Sequence, residues 1–215
     1  MSVVFSSLPF VLLFMPLFFG CYFLVPKRLK NFVLLVGSLA FYFVGTIDTP
    51  YHFILFIGSI LMDWTAGIGI EKYPRRKRLL LILSITLHLL YLCTFKYADF
   101  LLGELGVPLV GIALPIGISF YTFQGISYIA DVYRGKIKSE KSLLDFAVYI
   151  AMFPQLIAGP IVTYEAVADR LHNRRVDRRG VLHGLAVFIF GLGLKVLLAN
   201  PVGKLWSQAC TIGFE

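Results

Sequence analysis

Long apolar runs recur along the whole chain, and short polar segments separate them. An α-helix needs about 20 apolar residues to cross the ~30 Å hydrocarbon core of a bilayer. Six runs approach that length: residues 5–25, 32–47, 52–70, 79–95, 107–128 and 181–199. With 58% hydrophobic and only 15% charged residues, the 215-residue chain could not cover this apolar surface in water. The pattern predicts an all-α, polytopic transmembrane protein with about six spans.

The basic residues are concentrated in four short loops. Residues 27–30 hold three Lys or Arg, residues 72–78 hold five, residues 134–141 hold four and residues 170–179 hold five, which accounts for 17 of the 20. Because Lys and Arg near span ends stay in the cytoplasm, we expect these loops inside, an outside N-terminus and a cell-membrane location. The net charge of +8 could instead indicate nucleic-acid binding. Apolar runs flank every basic loop, so we predict no nucleic-acid partner.

A seventh apolar stretch, residues 143–162, has basic loops on both sides. A full crossing would place the arginine-rich loop outside, against the usual distribution of positive charge. We therefore predict a re-entrant segment that turns at membrane depth, at Pro154 and at Gly159–Pro160.

The fifth run, residues 107–128, is rich in helix breakers and in polar side chains. Pro108 and Pro115 lie in it together with Gly111, Gly117 and Gly125. Proline inside a helix removes a hydrogen bond and kinks the chain, so we predict a break near Pro115. Backbone groups freed at that depth need protein or cavity water as partners.

Two motifs on these irregular segments resemble a known family. The first is LPIGISFYTFQ at 114–124, continued by SYI at 127–129 and DVYR at 131–134. The second is FPQLIAGP at 153–160, and the shorter matches VFSS and FKYADF occur at 4–7 and 95–100. In this order the motifs resemble the alginate O-acetylase-like branch of the membrane-bound O-acyltransferases, and they extend through most of the chain.

The resemblance implies transfer of an acyl group, usually acetyl, from a cytoplasmic donor to hydroxyls of an extracytoplasmic polysaccharide. The donor would be acetyl-CoA or another acyl thioester, with no tightly bound cofactor and no metal. The family's intramembrane histidine lies in the second half of its chain, and no position here corresponds to it. We therefore expect no catalytic residue in this chain.

The resemblance covers the N-terminal half of the family's core, so residues 1–215 are predicted to be one transmembrane domain of a longer acyltransferase. This domain alone is predicted to be inactive. Its expected partners are the lipid bilayer, the missing C-terminal half, the acyl donor and an extracytoplasmic esterase-like acyltransferase.

Polar residues of the two motifs are candidates for lining a reaction cavity. They are Ser119, Tyr121, Thr122, Gln124 and Gln155. The alternative is that they hold helices together by hydrogen bonds within the membrane.

Asp63 and His88 fall inside predicted spans, and ionisable groups at that depth are functional candidates by default. For His88 a neutral imidazole bonded between helices is the favoured alternative, and for Asp63 the two interpretations are balanced. His52 and His172 lie near span ends, where solvated roles are expected.

Arg174 and Arg175 in the last basic loop are candidates for attracting the phosphates of a CoA-type donor, because the arginine fork matches phosphate geometry. The alternative is that this loop serves membrane topology alone.

Two other classes stay open. A transporter or flippase would also place polar groups on broken helices near the midplane, although its expected pair of related halves is not evident. A structural membrane subunit of an envelope polysaccharide system is the third possibility.

Overall fold

The computed structural model describes residues 7–104, 113–156, 159–174 and 176–211, and all regular secondary structure in these ranges is helical. The helices are α1 Phe10–Leu24, α2 Lys27–Gly45, α3 Tyr51–Lys72, α4 Pro74–Tyr97, α5 Ala98–Glu104, α6 Ile118–Tyr133, α7 Leu143–Ala151, α8 Phe153–Leu156, α9 Tyr164–His172 and α10 Arg178–Thr211.

Four helices, α2, α3, α4 and α10, are long and apolar enough to cross a membrane, and α1 is a shorter apolar helix. They coincide with the predicted spans at 32–47, 52–70, 79–95 and 181–199. An all-α membrane protein is thereby confirmed. The total of about six spans, the cell membrane as the location and the outside N-terminus stay predictions.

The predicted break near Pro115 is present. Residues 113–115 are irregular, Ile116 and Gly117 form a turn, and α6 begins at Ile118. Gly117 has φ +71°, in the left-handed region that glycine adopts without strain. A Cβ atom there would also lie 2.5 Å from the backbone oxygen of Leu156, so the break and α8 touch at this point. The first part of the predicted span, residues 107–112, lies outside the described residues.

The seventh apolar stretch forms a short buried helix and one further turn. The nine residues of α7 extend only about 13 Å at 1.5 Å per residue, less than half of a ~30 Å hydrocarbon core. Met152, with ψ 109°, ends α7, and α8 carries Pro154 in its first turn. This length fits the predicted re-entrant path. The turn predicted at Gly159–Pro160 follows residues 157–158, which lie outside the described residues.

The chain divides into two compact units. Of the described residues, those within 20–173 form one unit, and those within 7–19 and 174–211 form the other. The core of the first unit is aromatic and lies around α3, α6 and α7, with Phe56, Tyr128 and Phe146 fully buried. In the second unit α10 exposes large apolar side chains, which lipid would cover. The single transmembrane domain over residues 1–215 stays a prediction.

Labelling of introduced cysteines tests the re-entrant path. In a background with Cys21, Cys93 and Cys210 replaced by serine, Arg134→Cys and Asn173→Cys should react with an impermeant thiol reagent from the same side of the membrane. Asp48→Cys, in the loop between α2 and α3, should react from the opposite side. Labelling of positions 134 and 173 from opposite sides would show that residues 143–162 cross the bilayer.

Candidate functional site

A buried aspartate–histidine pair joins α3 and α4 within the first unit. Nε2 of His88 lies 3.0 Å from Oδ1 of Asp63, and the two side chains are 2% and 1% exposed. Among the described residues neither atom has a hydrogen-bond partner of suitable geometry, so the 3.0 Å separation is a close polar contact. The structure places His88 at a contact between helices, and the neutral role favoured for it stays a prediction.

The proton on the other ring nitrogen of His88 is fixed by the backbone. Nδ1 lies 2.8 Å from the carbonyl oxygen of Ser84, one turn earlier in α4, and this oxygen can only accept. Nδ1 therefore carries a hydrogen. A hydrogen bond across the 3.0 Å contact would then require a second proton, held either on Nε2 or on the Asp63 carboxyl.

Gly125 brings the backbone of α6 directly against this pair. A Cβ atom at Gly125 would lie 2.7 Å from Cγ of Asp63 and 3.0 Å from Nε2 of His88. Gly125 lies within α6, so this glycine serves a close helix approach and not the break at Pro115. The sequence signal was a glycine in a helical segment rich in polar residues, but its neighbours could not be known without the fold.

Gln124 and Gln155, one from each motif, bind the same backbone atom. Their amide nitrogens lie 3.0 Å and 2.5 Å from the carbonyl oxygen of Tyr149. Because α7 ends at Ala151, this carbonyl is one of the last in the helix and has no intrahelical partner. The two glutamines replace the missing helical hydrogen bond.

The hydroxyl group of Tyr149 also links α7 to neighbouring segments. It lies 3.4 Å from the carbonyl oxygen of Gln124 and 3.1 Å from that of Val162. Tyr149 is fully buried, and Phe153 at the start of α8 donates its backbone N–H to Ser38 of α2. The motifs at 114–134 and 153–160 are thus parts of one packed assembly in the first unit.

The remaining motif candidates have different surroundings. The Tyr121 hydroxyl lies 3.0 Å from that of Tyr91, and Ser119, which is partly exposed, accepts a hydrogen bond from Lys96 at 3.3 Å. Thr122 is fully buried, and its hydroxyl has no partner among the described residues. The hydrogen bonds of Gln124, Gln155 and Tyr121 fit the packing alternative, and no ligand-lined cavity is needed to account for them.

Of the two predicted donor-attracting arginines, the structure describes Arg174 alone. Arg174 is half-buried in the second unit, and Arg175 lies outside the described residues. The solvated role expected for His52 is wrong. This side chain is 2% exposed and lies 2.8 Å from the Thr49 hydroxyl, because the start of α3 is covered by neighbouring helices. His172 is half-exposed but contacts two carboxylates.

The fold and the buried polar pairs define the class of an all-helical integral membrane protein with irregular segments held inside the protein. No family model matches the chain, and no solved structure does. The chain is 37% identical to a probable alginate O-acetylase AlgI of Pseudomonas aeruginosa over 94% of its own length and 41% of that protein. It is 36% identical to the probable alginate O-acetylase AlgI of Azotobacter vinelandii, covering 94% and 43%. A peptidoglycan O-acetyltransferase of Helicobacter pylori is 29% identical, with 92% and 45% covered.

These comparisons confirm the resemblance predicted from the motifs, because the chain is a homologue of the alginate O-acetylases over nearly all of its length. The chain spans about two fifths of the length of these curated relatives.

Substituting Gly125 tests the close approach of α6 to the Asp63–His88 pair. Gly125→Ala should lower the free energy of unfolding by about 1–3 kcal/mol, because the added methyl group overpacks a site that holds a polar pair. Thermal unfolding in detergent would measure the change.

Gly58→Ala is the matched control, since a Cβ atom at this α3 position meets nothing within 4 Å. This change should be neutral or stabilise by up to about 1 kcal/mol, as alanine is the better helix former. Equal stability of the two variants would contradict the geometry at Gly125.

Proposed function

We propose that this chain forms part of a membrane-bound O-acyltransferase that transfers an acetyl group from a cytoplasmic acyl thioester to hydroxyls of an extracytoplasmic polysaccharide. The names of the homologues, alginate O-acetylase and peptidoglycan O-acetyltransferase, support acetyl transfer to a polysaccharide. Acetyl-CoA is the proposed donor. The membrane helices support a site within the bilayer, between the two substrates.

One observation carries the proposal furthest. The two motifs that carry the resemblance meet at the carbonyl oxygen of Tyr149, where Gln124 and Gln155 both donate. Gln124 and Gln155, one from each motif, therefore belong to one three-dimensional unit. An assembly that holds broken helices rigidly at membrane depth is what a reaction site enclosed by the bilayer requires.

The proposed reaction requires a thioester donor, a hydroxyl acceptor and a general base. A bond forms between a polysaccharide hydroxyl oxygen and the acyl carbon, the thioester C–S bond breaks, and a base removes the hydroxyl proton. Positioned acid–base catalysis is worth about 10²–10⁴-fold in rate. The backbone of α6 at Gly125 covers the Asp63–His88 pair of α3 and α4, so we assign this pair a structural role. We place the general base outside this chain.

Donor recognition is proposed for the last basic loop. In the full-length protein, replacing both Arg174 and Arg175 by glutamine should raise the KM for acetyl-CoA about tenfold, equivalent to ~1.4 kcal/mol of lost binding. The KM for acetyl-pantetheine, which lacks the phosphates, should not change. Radiolabelled acetyl transfer to the polysaccharide would measure both values.

The control removes the same amount of charge: glutamine replaces Arg75 and Arg76, which are exposed in the first turn of α4. It should leave both KM values unchanged. If the 174/175 variant keeps its donor preference, the arginines serve topology only. If label crosses the membrane without forming an ester, the protein is a transporter.

We also propose that residues 1–215 alone lack transferase activity. The expected result is no ester formation by this segment in liposomes supplied with acetyl-CoA and polysaccharide, and activity from the full-length protein under the same conditions. Ester formation by the segment would place the base within this chain.

A further inference from the structure

Three metal-ligating side chains converge at the polar ends of α7 and α9. One ligand atom from each of Glu140, Asp145 and His172 lies within 4.8 Å of the other two. Nε2 of His172 is 3.0 Å from Oε2 of Glu140, and its Nδ1 is 3.9 Å from Oδ2 of Asp145. We propose that these three side chains bind one divalent transition-metal ion, such as Zn²⁺ or Mn²⁺.

The spacing of these atoms suits such an ion. Nitrogen and oxygen ligands at about 2.1 Å from a metal lie roughly 3.0 Å apart at right angles and about 3.4 Å apart in a tetrahedron. The separation of His172 and Glu140 already has the first value. The 3.9 Å contact of Asp145 is with the other ring nitrogen, Nδ1, and one ion can bind only one ring nitrogen. An ion on Nε2 therefore requires the Asp145 side chain to turn towards that nitrogen. One imidazole with two carboxylates is a mixed ligand set that divalent transition metals accept.

The outer oxygens of both carboxylates are held by groups outside the cluster. Asn31 of α2 donates to Oδ1 of Asp145 at 2.5 Å, and the backbone N–H of Ser142 donates to Oε1 of Glu140 at 2.7 Å. The oxygens that face His172 are the opposite ones. Carboxylates oriented in this way from behind are usual in metal sites, where outer partners fix the direction of the ligand.

Tyr164 of α9 donates its hydroxyl hydrogen to Oε2 of Glu140. Burial raises the pKa of the Tyr164 hydroxyl, and the charge of Glu140 raises it further, so this group stays a neutral donor. A carboxylate oxygen has two acceptor positions, and one therefore stays open towards His172.

The alternative is a purely hydrogen-bonded cluster in which His172 donates to Glu140. The two cases differ in the state of Nε2, which must be free of a proton to bind metal and must carry one to donate. A bound metal ion and a hydrogen bond from Nε2 to Glu140 therefore exclude each other.

The test is a titration of the purified full-length protein in detergent with Mn²⁺ after treatment with a chelator. Electron paramagnetic resonance measures free Mn²⁺, and the loss of its signal should correspond to one ion bound per chain. Added Zn²⁺ should displace the Mn²⁺ and restore the signal. His172→Gln is the decisive variant, because the glutamine amide can still donate to Glu140 but is a poor metal ligand. It should weaken Mn²⁺ binding at least tenfold, and Asp145→Asn should do the same.

His183→Gln, at an exposed position of α10, is the matched control and should bind Mn²⁺ like the wild type. His172 is itself 46% exposed, so its replacement should leave the fold intact, and an unchanged thermal unfolding transition without metal would verify this. Binding that survives in His172→Gln, or less than one-tenth of an ion per chain in the wild type, would overturn the proposal. The measurement uses no acetyl transfer, so its outcome is independent of the proposed function.

Discussion

The architecture of the first unit depends on finding hydrogen-bond partners for buried backbone groups, and the carbonyl oxygen of Tyr149 is the clearest case. A backbone group inside a bilayer has no water to bind, and leaving it unpaired costs several kcal/mol. Because α7 stops after nine residues, its last carbonyls need partners from elsewhere in the protein. Gln124 and Gln155 supply them for Tyr149, and in doing so they fix α6 and α8 against α7. The packing of α6 and α8 against the end of the short helix α7 thus satisfies one requirement for hydrogen bonds.

Close backbone approach is the second element of this arrangement. At Gly117 the chain before α6 touches the backbone of Leu156, and at Gly125 the backbone of α6 touches the Asp63–His88 pair. Small residues at helix contacts are typical inside membranes, where close packing and hydrogen bonds replace the hydrophobic drive between helices. Here the two glycines lie eight positions apart on one segment and serve different contacts. One permits a left-handed turn, and the other permits a polar pair to be closed off from solvent.

The sequence predicted the helical class, the long spans and the break near Pro115, because apolar length and proline act locally along the chain. It placed His88 inside a span, where the structure shows it in contact with Asp63 of a neighbouring helix, and its neutral state stays a prediction. The sequence did not predict the partners of the polar side chains, since these depend on which helices become neighbours. Gln124 and Gln155 were candidates either for lining a cavity or for holding helices together, and in the structure both cap α7. His52 was expected in solvent because it lies near the end of a predicted span, yet its side chain is buried. Position along the sequence does not show which other helices pack against a span end. Glu140 and Asp145 lie in or beside a basic loop, where their convergence on His172 is visible only in three dimensions.

The hydrogen bond from Nδ1 of His88 to Ser84 has an electrical consequence. With Nδ1 occupied, a hydrogen bond between Asp63 and His88 requires one exchangeable proton between two atoms that are 3.0 Å apart. Whether that proton resides on the imidazole or on the carboxyl, the formal charge of a pair that shares it sums to zero. Movement of the proton from one atom to the other displaces charge over a small fraction of the bilayer thickness. The membrane voltage would do almost no work on such a pair, so an aspartate within a span can be held there without becoming a voltage sensor.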